Sequence, residues 1–465
     1  MSTVEETGKL DAKAWRTIAV VLLGPFMTQL DSTVVNVSLP KIAEDLHSPI
    51  AEAQWIISGY LLALALMLPL NGWAVDRVGA KKLYLGCFTA FTLTSLICGV
   101  SHTMEQLVCA RVLQGIAGGL LAPMTQYMVA RIAGRQMARV VGYAAIPILL
   151  APLLGPVAAG AILTSASWPW LFFLNLPIGV LAVTLAIFLL PQDDEVAQKR
   201  PFDFLGFILI SPGLACVLYG FEHFKNLSGI LTLGIGVALI AGFVFDARDK
   251  KGRALVDLRL FKIRNFFVAT RTQFFSNGLT YAGQFLLPLY LMKGAGLSAV
   301  QTGLALAPMG IGMLCVSPMM GFLTDKFGCR KVSVTGVLVN LAGTLPFFWM
   351  ILHEYSLVMM VFCMLARGAG QGAAGVPALS AAYAALPKEK LSSGTTATNI
   401  VQRLGGPIAT TLMAIVVSYA SESPPSFTDL HTSARTFIVP FAALLILQSM
   451  LLASAIHLPA RIEKR

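Results

Sequence analysis

Gly72-Trp73-Ala74-Val75-Asp76-Arg77-Val78-Gly79-Ala80-Lys81-Lys82 has a second version 249 residues later, Gly321-Phe322-Leu323-Thr324-Asp325-Lys326-Phe327-Gly328-Cys329-Arg330-Lys331. Both read Gly-x-x-x-Asp-basic-x-Gly-x-basic-Lys, and both close a long apolar stretch. Two apolar stretches further on, each is followed by a buried-looking arginine and then Gln-Gly: Arg111-Val112-Leu113-Gln114-Gly115, and Arg367-Gly368-Ala369-Gly370-Gln371-Gly372. The spacing inside the second pair differs by one residue, so the repeat is degenerate there. A chain that repeats a motif set at half its length is built from two similar halves.

The material between the repeats is overwhelmingly apolar. The 465 residues are 56% hydrophobic and 12% charged, with a mean hydropathy of +0.74. A soluble chain carries about 25% charged residues, and a larger core cannot explain the deficit because the surface would still need polar cover. Apolar stretches of ~20 residues, each enough to cross ~30 Å of hydrocarbon, recur throughout. Fourteen are expected, at 17–38, 53–74, 83–101, 106–130, 140–163, 168–190, 204–220, 228–245, 266–290, 301–323, 332–352, 357–382, 396–418 and 436–458. The fold class is therefore an all-α polytopic membrane protein with two six-helix halves. The two extra helices fit between the charged runs Asp193–Asp203 and Asp246–Arg264. This divides the chain into an amino-terminal bundle (1–200), a two-helix insertion (201–250) and a carboxy-terminal bundle (251–465). Paired halves with a site between them near the bilayer midplane form a known transporter architecture.

The net charge of +11 suggests a nucleic-acid partner until its placement is mapped. With the amino terminus inside, inner segments hold 26 Lys and Arg, and outer segments hold only Lys41, Lys225, Lys293 and Arg435. That asymmetry follows the positive-inside rule and places both ends in the cytoplasm; nucleic acid is not indicated. The first span reads as a retained helix, with no small-residue cleavage site before Lys41. None of the seven cysteines falls in an outer loop and no CxxC occurs, so neither a disulfide nor a metal is expected.

One acid interrupts a span: Asp31, in Leu30-Asp31-Ser32-Thr33-Val34-Val35-Asn36-Val37. A carboxylate at membrane depth costs ~2.5–3.5 kcal/mol on insertion scales, so its default reading is functional. Asp31 lies ten residues before Lys41, or ~15 Å deep, and Arg111 six residues after Glu105, or ~9 Å deep at 1.5 Å per residue. The two are expected to pair, with Asp31 gaining and losing a proton as Arg111 moves; a static buried ion pair is the plainer reading. Gln29, Thr33 and Asn36 form a polar stripe on the same helix, joined by Gln114. Asn277, Tyr281 and Gln284 in span nine, and Asn399, Gln402 and Arg403 in span thirteen, give further helically spaced polar sets. These are expected to line a substrate cavity with the aromatics Trp55 and Tyr60, against the alternative of interhelical hydrogen bonds worth only ~0.6 kcal/mol each. Gly155-Pro156 should deform span five and act as a gate, because proline removes a helix hydrogen bond and glycine lets a neighbour approach.

These residues resemble the major facilitator superfamily, and within it the fourteen-helix drug:proton antiporters. The Gly72–Lys82 loop resembles the superfamily signature; Leu30–Pro40, Gly155-Pro156, Gln54-Trp55 with Tyr60, and Asn175-Leu176-Pro177-Ile178-Gly179 resemble the exporter branch. The resemblance implies a major facilitator fold in a bacterial inner membrane. It implies proton-coupled efflux of small amphipathic compounds by a monomer, with protons as coupling ion and no other cofactor. It also implies a cytoplasmic latch formed by Gly72, Asp76, Arg77 and Gly79, with Asp325 in the second copy. The chain departs from the pattern at Pro169, between Trp168 and Trp170, and at Ala159-Gly160. Spans nine to fourteen contain no acid, which argues against dication selectivity.

A different solute is also compatible. Arg111, Arg367 and Arg403 lie well inside spans against one acid, a balance that favours an anionic metabolite or siderophore-like molecule. An intramembrane enzyme would need a nucleophile with a base, or metal ligands, at depth. All six histidines sit at span ends or in loops, and no HExxH, GxSxG or phosphate loop occurs. A sensor would need an output domain, and the inner segments are too short for one.

Overall fold

A computed structural model describes residues 11–133, 136–192, 201–250, 253–353, 355–422 and 434–460. In hydrocarbon each backbone N–H and C=O must be satisfied within its own segment, which leaves helices as the solution for runs like these. Fourteen long helical segments are described: α1 Ala12–Asp45, α2 Ile50–Val78, α3 Ala80–Gly99, α4 Met104–Ala133, α5 Met137–Ser165, α6 Trp170–Leu189, α7 Phe204–Glu222, α8 Leu227–Asp249, α9 Arg264–Leu289, α10 Val300–Phe327, α11 Cys329–Leu352, α12 Leu357–Ala384, α13 Leu391–Glu422 and α14 Ile438–Ile456. Twelve of them are long and apolar enough to cross a membrane. Of the other two, α5 is described as the apolar pieces Met137–Ile148 and Leu154–Ser165. The second, α9, carries Arg264, Arg271, Gln273, Asn277 and Gln284 along its 26 residues.

The packing repeats as the sequence does. In the first half α1 packs on α4, α5 and α6, α4 on α2 and α3, and α3 on α6. In the second half α9 packs on α12, α13 and α14, α12 on α10 and α11, and α11 on α14. Each contact in one list has its counterpart, eight helices on, in the other.

The repeated loops explain themselves at this level. Gly79 (φ 92°) and Gly328 (φ 85°) take the same place in the motif and turn the chain between helices at a backbone angle that side-chain-bearing residues avoid. Two residues later, Lys81 Nζ donates to the carbonyls of Ile187 (2.8 Å) and Leu190 (2.9 Å), closing the end of α6. In the second copy Arg330 Nε donates to the carbonyl of Leu458 (2.7 Å), just past α14. A cation on the last carbonyls of a helix satisfies orphan acceptors and opposes the dipole. The basic residues of the motif thus cap helices as well as set topology.

The helices α7 and α8 pack on each other as a hairpin. Asp203 begins it, accepting from Gly206 N (2.9 Å), Leu255 N (3.0 Å) and Lys250 Nζ (2.6 Å). Partial burial acts to raise the Asp203 carboxyl, but Lys250 and the two backbone N–H groups outweigh it and hold it below the usual value. At its other end α7 touches both halves. Tyr219 stacks on Trp55 of α2, ring centroids 6.3 Å apart, and Thr411 of α13 donates to the Phe221 carbonyl (2.9 Å).

Between the halves, the end bearing the repeated loops (the basic end) is sealed. Ser392 at the start of α13 donates to Asp76 (2.7 Å), and a Cβ on Gly72 would come within 3.3 Å of the Ser392 carbonyl. The counterpart contact joins α10 to the first turns of α5. A Cβ on Gly321 would run into Arg139, which lies within electrostatic reach of Asp325, and one on Gly142 would meet the Ser317 carbonyl. Deeper in, Gln126 of α4 accepts from Tyr383 (2.5 Å) and Asn399 (2.8 Å) of the other half.

Overpacking costs about 1–3 kcal/mol, so Gly142→Leu should depopulate the sealed basic end by about tenfold or more. In a cysteine-free background, a reporter cysteine at cavity-lining Ala145 should then gain reactivity toward an impermeant maleimide added from the basic side. Gly160→Leu, where an added side chain meets open space, is the control and should leave labelling unchanged.

Candidate functional site: a buried ion pair beside a central cavity

Asp31 is 2% exposed and Arg111 1%. Arg111 Nη1 donates to Asp31 Oδ2 at 2.6 Å, joining α4 to α1. The other carboxylate oxygen accepts from Asn175 Nδ2 (2.7 Å) on α6 and from Gln114 Nε2 (3.3 Å) on α4. Gln114 Oε1 in turn accepts from Arg111 Nη1 (2.6 Å), and Arg111 Nε donates to the Ile56 carbonyl (3.3 Å) of α2. Asn175 also donates to Ser95 (3.0 Å), which donates to the Phe172 carbonyl (2.9 Å). Five of the six helices of the first half, α1, α2, α3, α4 and α6, thus meet in one polar network with the carboxylate at its centre. Each oxygen of the carboxylate is satisfied, while the Asn175 Oδ1 in the same network has no partner.

Tyr60 closes the network on one side. Its ring covers the Arg111 guanidinium, 4.2 Å from the ring centroid, a cation–π contact that is stronger when desolvated. Tyr60 also lines a cavity of about 1630 Å³ between the two halves. Gln29, Ser32 and Asn36 face it from α1, Gln126 from α4, Asn277 and Tyr281 from α9, and Asn399, Gln402 and Arg403 from α13. Apolar groups such as Leu64, Ile148 and Phe285 make up much of the rest. It extends away from the sealed basic end to a far rim made by Glu222–Asn226 of the α7–α8 turn and by Tyr419. Asp31 is next to Ser32 in the chain but does not line the cavity.

Four residues expected at the cavity lie elsewhere. Thr33 is turned to α5, where it approaches the Ala151 carbonyl and fills the space left by Gly155. Gln114 is committed to the ion pair. Trp55 is stacked on Tyr219. Gln284 is exposed and lies outside the cavity lining, about one turn along α9 from Tyr281. Gly155 is a point of close approach between α5 and α1, and Pro156 beside it is exposed. Of the latch residues, Gly72 and Asp76 meet α13, Gly79 forms the turn, Arg77 is exposed, and Asp325 stands by Arg139. Asn175 and Ser95 were not expected at the pair; the available signal was an amide and a hydroxyl within apolar runs.

The second half keeps the cation and omits the acid. Arg367 is 1% exposed; it donates to Thr344 Oγ1, while its Nε has no partner. A Cβ placed on Gly283 of α9 would come 3.1 Å from Arg367 Nη2. Gly283 therefore stands on α9 where Asp31 stands on α1. Among the described residues Arg367 makes no ion pair.

Breaking a buried pair by removing one partner costs about 3–5 kcal/mol, whereas replacing both by packed apolar groups is often neutral. Arg111→Met alone should therefore lower thermal stability in detergent markedly, and Asp31→Leu with Arg111→Met should restore most of it. A double-mutant cycle on the unfolding midpoint checks this, and additive losses would contradict the coupling.

Residues 21–410 match the family model described as Major Facilitator Superfamily. The chain is 33% identical over 419 residues to the multidrug resistance protein B homolog of Mycobacterium tuberculosis, covering 88% of this chain and 77% of that one. Its fold resembles the human organic anion transporter MFSD10, with a TM-score of 0.64 at 15% identity over 96% of this chain and 99% of that one. The proton:xylose symporter XylE gives a TM-score of 0.63 at 12% identity, covering 96% and 94%. The repeated halves, the cavity between them and these matches agree: the chain belongs to the Major Facilitator Superfamily, multi-pass membrane transporters of small molecules, and is not an enzyme.

Proposed function

We propose that the chain is a proton-coupled exporter of small amphipathic compounds, of the multidrug type, working by alternating access. The observation that carries the reading is the Asp31–Arg111 pair, sealed from the cavity by a tyrosine that itself lines it. The name of the Mycobacterium tuberculosis relative supports efflux. In this reading fourteen helices cross a bacterial inner membrane, both termini are cytoplasmic, and the monomer is the working unit. The basic end is then cytoplasmic, and the sealed basic end makes this the outward-facing form.

The physical logic runs through α1. Protonating Asp31 removes the charge that Arg111 and Asn175 hold, and weakens the ties between α1, α4 and α6. Helix α1 also carries Gln29, Ser32 and Asn36 on the cavity wall. Proton and solute therefore act on the same element, and each biases the equilibrium between the two access states by its differential affinity. The paired contacts at the basic end, Asp76 with Ser392 and Gly321 against Arg139, are the ones that part when the chain turns inward.

The test uses proteoliposomes enclosing a pH dye, with an imposed proton gradient and a panel of lipophilic cations, neutral amphiphiles and organic anions. Wild type should show solute-dependent proton flux that Asp31→Asn abolishes. Equal flux in the two proteins would remove Asp31 as the coupling acid.

A further inference from the structure

Arg403 is the one cation facing the middle of the cavity, and among the described residues its guanidinium has neither an ion-pair partner nor a protein hydrogen bond. It shares the cavity lining with Tyr281 and with Tyr60, whose ring covers Arg111. The neighbouring Gln402 has a buried Oε1 with no partner, while its backbone carbonyl is taken by Asn277 Nδ2 (2.6 Å). Acids are scarce here. Asp31 is consumed by Arg111 and lies behind Tyr60, and Glu222 stands at the far rim beside Lys225. The deep cavity is thus a chamber of apolar and neutral polar walls with an uncompensated positive centre, where a lowered dielectric strengthens attraction for an anion and repulsion of a cation.

We propose that Arg403 is the anion-binding element of the substrate cavity, and that the preferred solute is an amphipathic organic monoanion. Its carboxylate or sulfonate pairs with the guanidinium, and its apolar body lies among the aromatic and aliphatic walls. The planar fork of arginine suits a two-oxygen acid, with two parallel N–H···O bonds. This assignment rests on the transport reading above but is decided by binding, and so fails or stands separately from proton coupling.

A dansyl series tests it, because one fluorophore can carry a carboxylate (dansylglycine), no charge (dansylamide) or a quaternary ammonium (dansylcholine). Each is titrated into the purified full-length protein in neutral detergent, with Arg403→Gln and Arg403→Lys beside wild type. Wild type should bind dansylglycine at least about tenfold tighter than dansylcholine. Arg403→Gln should lose about tenfold or more for the anion and leave dansylamide unchanged, which also shows that the cavity is intact. Arg403→Lys, keeping the charge without the fork, should fall between. Absence of saturable dansylglycine binding, a wild-type preference for the cation, or anion binding indifferent to Arg403→Gln would each overturn the proposal. Dansylglycine that binds through Arg403 yet drives no Asp31-dependent proton flux would leave this site standing and sink the coupling mechanism instead.

Discussion

A carboxylate surrounded by hydrocarbon must be matched, and the first half of this protein is organised by the matching of Asp31. Arg111 supplies the charge, Asn175 and Gln114 supply the remaining donors, and the Tyr60 ring covers the guanidinium. Because these groups come from different helices, the match holds only while the helices keep their places. The carboxylate is therefore also a sensor of packing. Arg367 shows the contrast: it is a buried cation with a hydroxyl partner and a glycine where the acid would stand.

The duplicated loops do for the bundle what the ion pair does for its centre. In each copy a glycine turns the chain, a base closes the last helix of its own half, and the helix carrying the acid leans on the first turns of the partner half's fifth helix. Gluing one half internally and latching it to the other are done by residues a few positions apart.

Much of this was legible because cost leaves a trace in composition. A long run of apolar residues in lipid has to be helical, and an acid in such a run has to be answered, so the helices α1 to α14, twelve of them apolar and long enough to cross, and the Asp31–Arg111 pair could be read ahead of the structure. Facing directions were harder. On α1, with about 100° per residue, Asn36 and Ser32 fall to one side of Gln29 and Thr33 to the other, which is enough to send Thr33 to α5 while the others meet the cavity. Tilt and neighbours decide that margin. Trp55 escaped for another reason: its partner Tyr219 belongs to the inserted hairpin, which has no counterpart in the repeat. Asn175 sat in a recognised motif, but nothing in the spacing says that α6 delivers it to α1.

The absence of an acid opposite Arg367 has an electrical consequence. Under the proposed mechanism, with Asp31 as the coupling acid and Gly283 in the matching place of the second half, one proton passes per cycle. For a neutral solute the exchange moves one charge across the bilayer. For a monoanion leaving as the proton enters, two charges move in the same electrical sense, and membrane potential contributes about 2.3 kcal/mol per charge for each 100 mV. Gly283 and Arg403 together would thus enlarge the share of the driving force that comes from voltage: one residue limits the protons, and the other selects the solute that doubles the current.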